Sequence, residues 1–139
     1  MATNTTATER AIQNSANSAL PVVALLAGWL VPGAGHLVQR KWIRGLLLLV
    51  SIVSMFSVGI ALKGKVYTPN TGEMLDMLNF AGQLGNGLLY GVARVFDLGA
   101  SSVQMAVADY GTKFIVVAGL LNIIAAVDAH SLASGRKPS

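Results

Sequence analysis

The run Trp29-Leu30-Val31-Pro32-Gly33-Ala34-Gly35-His36, followed by Arg40, Lys41, Trp42 and Arg44, constrains this chain more than any other stretch. It separates two apolar segments, residues 20–31 and 45–62. Pro32 removes a backbone donor, and Gly33 and Gly35 admit backbone conformations closed to other residues, so a regular helix must kink or stop here. The order reads as an apolar segment ending, an irregular turn, a basic ledge, and a second apolar segment beginning.

The second segment is the clearest in the chain. Residues 45–62 carry no charge and are bracketed by Trp42 and Lys63. Their length as a helix matches a bilayer core. Composition points the same way: 12% of the 139 residues are charged, against about 25% in soluble domains. Much of the surface must therefore face something other than water. The length fits one domain. With no cysteine, disulfides, thiolate metal sites and cysteine nucleophiles are excluded. The net charge is +4, with basic residues at the edges of apolar segments, the placement of membrane-border anchors. A nucleic-acid partner would need a basic stripe with exposed aromatics, and the sequence has none.

Residues 1–17 read as a polar N-terminal tail with at most one or two helical turns, and residues 18–139 as a single helical membrane domain. Ser18 suits a cap and Pro21 the first helical turn. Residues 20–31 would cover about 18 Å of a roughly 30 Å hydrocarbon core. Either the span is kinked at Pro32 and continues, or a short helix is followed by a re-entrant turn. Ser51, Ser54 and Ser57 recur at three-residue spacing in the second segment; they either admit a partner backbone or bond back to their own helix carbonyls. Residues 63–77 form a turn-rich loop.

Segment 78–96 is apolar but rich in glycine, with a G-x-x-x-G at Gly87 and Gly91. Asn79, Gln83, Asn86, Tyr90, Arg94 and Asp97 fall at helical spacing and form one polar stripe. The stripe faces protein or a cavity if the segment spans, and solvent if the segment lies at the interface. Residues 98–111 connect, with Ser101 or Ser102 as caps. Segment 112–133 carries Asn122 at its centre, flanked by Ala118 and Ala126. A buried amide there needs partners, sought on Ser51, Ser54, Ser57, Gln83, Asn86 or another subunit. The expectation is all-α: a polytopic membrane protein of three to four transmembrane helices, the first kinked or broken at Pro32. With four spans, the Lys and Arg residues divide five against five, and orientation stays open.

The run W-L-V-P-G-A-G-H and the R-G-L-L-L-L after it resemble small bacterial membrane proteins of a domain-of-unknown-function family. So do G-K-V-Y-T-P (residues 64–69), D-Y-G-T-K-F-I-V-V-A-G-L-L-N (109–122) and D-A-H-S-L-A-S-G-R-K-P (128–138). The first hairpin is also similar to the two-transmembrane-helix domain family, in which a glycine-rich turn with a histidine joins two spans. These resemblances imply a multi-helix protein of the bacterial inner membrane and no particular activity.

His36 is the sharpest single residue. It could ligate a metal, pigment or heme, or hold a quinone or lipid; the plainer reading has it donate to a freed carbonyl near Pro32. Asp128 and His130 lie two apart and diverge on a helix. No catalytic constellation is present, and an enzyme is not expected. The favoured role is a non-catalytic accessory or scaffold subunit among membrane lipids and other integral membrane subunits, with no required cofactor, a bound lipid or pigment being the candidates. Trp29, Pro32, Gly33, Gly35, Gly87, Gly91, Asn86 and Asn122 are the expected structural and interface residues. The alternatives are a ligand-binding subunit using His36, and a small channel or transporter using Asn79, Gln83, Asn86 and Tyr90. Against transport, Pro32 breaks one span and no later break is evident, whereas transporters pair their broken helices.

Overall fold

The computed structural model describes residues 2–69, 72–98 and 106–136. Among them there are six helices and no strand: α1 (Ala2–Leu30), α2 (Ala34–Val38), α3 (Trp42–Ala61), α4 (Met74–Leu84), α5 (Leu88–Val95) and α6 (Ala106–Ala133). Two of these, α3 and α6, are long and apolar enough to cross a membrane.

The centre of the bundle is α6. Gly111, Ile115, Ala118, Asn122, Ala125 and Ala129 are buried along one face, with Thr112, Gly119 and Ala126 beside them. Those residues recur at three and four, the spacing of one helix face. Most are glycine or alanine, so three other helices approach closely. α3 runs antiparallel to α6, with Gly59 against Gly111 and Ile115. α1 is also antiparallel, with Gly28 on Ala126. α4 runs in the same direction as α6, with Gly82 on Val116 and Gly85 on Gly119. Ile52, Phe56, Ala93, Ile115, Ala118 and Ala125 make the apolar core. The outward faces of α3 and α6 are clad in exposed Leu46, Leu47, Val50, Leu120, Ile124 and Val127. A contiguous apolar surface of that extent marks contact with lipid or protein.

Helix ends differ in how they close. At α2, α3, α5 and α6 a residue of positive φ follows the last turn: Arg40, Lys63, Asp97 and Gly135. The next amide then reaches back to the first carbonyl of that turn: Lys41 to His36, Gly64 to Gly59, Leu98 to Ala93 and Arg136 to Ser131. This is the Schellman closure. α1 and α4 stop differently. They end inside the bundle, and other helices take up their carbonyls.

Three expectations need correction. Residues 2–17 are not a tail with one or two turns but the first half of α1. The residues are exposed from Asn4 to Ser15, so the helix does not rest on packing there. It extends from the packed part below, because adding residues to an existing helix is far easier than nucleating one. Pro21 accordingly lies within α1 rather than in its first turn. Segment 78–96 is not one helix: residues 85–87 separate α4 from α5. The expected caps Ser101 and Ser102 lie outside the described residues.

Candidate functional site

The most connected polar group is the Asn122 side chain. Its exposure is 0%. Its amide nitrogen donates to the Trp29 carbonyl at 2.8 Å and to the Gly85 carbonyl at 2.9 Å. Those carbonyls stand at the ends of α1 and α4, where the last turns lack intrahelical partners. The Trp29 indole N–H in turn donates to Leu84 O at 3.3 Å. α1 is antiparallel to α6 and α4 parallel to it, so the two helices arrive from opposite ends and meet at the level of Asn122.

Each of the two stops is a glycine with a left-handed backbone. Gly33 has φ 77° and Gly87 has φ 56°. A side chain at Gly33 would strike the Gly45 carbonyl, and one at Gly87 the Trp29 carbonyl. Glycine is required at both on two counts, conformation and space.

Around the second stop, buried amides hold the chain. Asn86, at 0% exposure, donates to Ile115 O at 2.9 Å and Gln83 O at 3.2 Å. The Gln83 side chain clamps the loop before α4: it donates to Lys65 O and accepts from the Tyr67 amide, both at 2.8 Å. Tyr90 donates to Tyr67 O at 2.7 Å, and Lys65 N donates to the Thr112 hydroxyl at 2.9 Å. Burial, together with the charges of Asp76 and Asp109, holds the Tyr67 phenol above its ordinary value. The middle of the polar stripe therefore faces protein, at Gln83 and Asn86. Its far end, Arg94 and Asp97, is exposed.

Around the first stop, Pro32, Gly33, Gly35 and His36 are all buried. A Cβ at Gly35 would meet the Ala24 carbonyl and, at 2.7 Å, Ala129 Cβ. His36 Nε2 lies 3.2 Å from Asp128 Oδ2. Gln39 donates to Gly35 O at 3.0 Å and Ala129 O at 2.7 Å. α2 is thereby fixed between α1 and the end of α6.

Several sequence-derived roles change. The partner of His36 is a carboxylate on α6, not a carbonyl freed by Pro32. The ring is 1% exposed, and its Nδ1 is enclosed among protein atoms. The partners of Asn122 are main-chain carbonyls rather than Ser51, Ser54, Ser57, Gln83 or Asn86; the three serines point outward. Gly87 and Gly91 do not form a packing pair, because Gly91 faces open space. A later helix break does exist, at residues 85–87, and it meets the break at Pro32. The sequence carried a signal for it. Ala-Gly-x-Leu-x-x-Gly occurs at residues 27–33 and again at residues 81–87. In both copies the second residue packs on α6 and the last takes positive φ. A proline marks the first copy and none marks the second, so the second reads as helix.

The node is built of amides and carbonyls, groups that neither titrate near neutral pH nor act as nucleophiles. Asn86 Oδ1 and Asn122 Oδ1 are buried acceptors without a partner among the described residues, as is the ring nitrogen His36 Nδ1, and an unpaired carbonyl oxygen is tolerated better than an unpaired N–H. What the arrangement does is tie the broken ends of two helices, α1 and α4, to the middle of a third, α6.

No curated protein and no solved structure matches the chain. A protein-family model does, over residues 23–138, which spans both stops, both long apolar helices and Asn122. The chain belongs to that family, a family of unknown function (DUF6677).

Proposed function

We infer that this is a non-catalytic membrane subunit that works through its outer surface, packing against larger integral membrane partners. In this reading α3 and α6 cross the inner membrane of a bacterium. The α1–α2 and α4–α5 turns enter from opposite faces and reverse inside, giving two spans and two re-entrant segments in place of three to four spans. Irregular backbone at that depth has to be buried in protein, which fits the burial of Pro32, Gly33, Gly85 and Asn86.

The observation that carries the reading is the outward row Ser51, Ser54 and Ser57 on α3. The small residues of α4 and α6 are used within the chain, against one another. The serines are not, and they interrupt an otherwise bulky apolar face where another helix could approach. Mild extraction followed by native electrophoresis tests this. The wild-type chain should migrate in a larger membrane assembly, and S51L/S54L/S57L should migrate alone while remaining folded. Wild-type protein that migrates alone, with no crosslinked neighbour in intact membranes, overturns the reading.

A second reading, a small channel or transporter, has one observation in its favour: two interrupted helices meet from opposite ends, as in many transporters. Ion flux into liposomes carrying the purified protein, lost in Asn122→Leu, would select it.

A further inference from the structure

We propose that the α2–α3 turn is a binding ledge for anionic phospholipid headgroups. The proposal rests on the two-span layout above. Arg40, Lys41 and Arg44, with Trp42 and Ile43, line one shallow concavity at the start of α3. Trp42 is 66% exposed and Ile43 78%. That combination, cations beside an outward indole at the mouth of an apolar helix, suits the headgroup level of a bilayer. The cations are available: the ion pair found among the described residues is His36–Asp128, and none of the three takes part in it. No acidic residue stands in the first turn of α3. Asp128 is turned to His36, and Glu9 lies fifteen residues before Ala24 on α1, roughly 20 Å farther along the axis.

The ledge is also rigid. Arg40 is held at φ 59° by the closure of α2, in which the Lys41 amide donates to His36 O at 2.9 Å. Gln39 ties the same turn to α6. A guanidinium so placed offers a phosphodiester two parallel donors.

Charge is distributed to match. With two spans, the five-to-five tie disappears. Among the described residues, the end that holds the ledge has Arg10, Arg40, Lys41, Arg44 and Arg136 against Glu9 and Asp128, a net of +3. The opposite end, from residue 62 into the first turns of α6, has Lys63, Lys65, Arg94 and Lys113 against Glu73, Asp76, Asp97 and Asp109, a net of zero. Basic residues favour the cytoplasmic side, where the leaflet's anionic lipids attract them. The ledge, the start of α1 and the end of α6 then share the cytoplasmic face.

The test is native mass spectrometry of the purified protein reconstituted in nanodiscs of phosphatidylcholine with phosphatidylglycerol or cardiolipin. Each basic side chain at an anionic surface contributes roughly a factor of five. R40Q/K41Q/R44Q should therefore lose affinity for the anionic lipid on the order of a hundredfold, and K63Q/K65Q should lose little. R40K/K41R/R44K keeps the charge and should keep the lipid. Equal retention by wild type and R40Q/K41Q/R44Q overturns the proposal. So does displacement of the lipid by inorganic phosphate, which would mark a site for free phosphate. Release of the wild-type chain from membranes by alkaline carbonate would instead overturn the membrane reading itself.

Discussion

The outer and inner helix ends of this protein solve the same problem in different ways. The ends of α2, α3, α5 and α6 close on themselves through a left-handed residue and a returning amide. The ends of α1 and α4 hand their carbonyls to Asn122 and Trp29. An outer end lies at the surface of the protein and needs only local geometry. An inner end is enclosed, so an unmatched carbonyl there has no solvent to turn to. The protein supplies a side chain from another helix, and in doing so locks three helices together. Inner ends should be fragile and outer ends forgiving, and substitutions can test that contrast.

The largest effect is expected at Asn122→Leu. It leaves the Trp29 and Gly85 carbonyls buried without that donor, at about 1–3 kcal/mol each. The SDS-induced unfolding midpoint should fall accordingly, while insertion into the membrane is unchanged. A loss no greater than that of an exposed-site control such as Ile124→Ala would mean the inner ends are not held through this amide.

Next come the stops themselves. Gly33→Ala and Gly87→Ala each add a Cβ against a carbonyl and impose a left-handed backbone on a chiral residue, together about 2–4 kcal/mol. Gly91→Ala, four residues on in open space, should be neutral or stabilising by up to about 1 kcal/mol. Thermal unfolding of the pair Gly87→Ala and Gly91→Ala decides the matter; similar losses in both would contradict the placement of the second stop.

A smaller loss, about 1–2 kcal/mol, is expected for Asn86→Leu, because one interhelical bond, to Ile115 O, is removed. Hydrogen exchange should quicken in α4 and α5 and stay unchanged in α2. Uniform quickening would show that the two stops open as one unit.

The smallest effect has the opposite sign. At Lys63, an outer end with φ 61°, Lys63→Gly should stabilise by about 0.5–1 kcal/mol, because it relieves the left-handed strain while leaving the Gly64 bond in place. An unfolding midpoint lower than wild type would show that the lysine side chain matters to this turn beyond its backbone.

The two kinds of end also explain what could be read in advance. The interruption at Pro32 was legible because proline lacks the donor a helix interior needs. The uninterrupted α3 was legible because eighteen uncharged residues leave no other use for the segment. The break at residues 85–87 carries no such local mark. Gly85, Asn86 and Gly87 are each compatible with a helix, and the polar stripe continues through them with helical spacing. Nothing local distinguishes a glycine that packs, such as Gly82, from one that turns the chain, such as Gly87. The helical first half of α1 is hidden in the sequence for a related reason: polar residues without periodicity look like a tail, yet they continue a helix that is already formed.

By itself the sequence determined the helical class, the two long apolar helices, the first stop and the need of Asn122 for buried partners. Each of these follows from the chemistry of a residue and its near neighbours. Only the tertiary structure decided which partners Asn122 takes, that His36 faces Asp128, and that two helices from opposite ends stop at the same level. The reason is the nature of the acceptors. The acceptors of Asn122 are main-chain carbonyls, which every residue carries, and these two became its partners because the fold brings the unclosed ends of α1 and α4 to it.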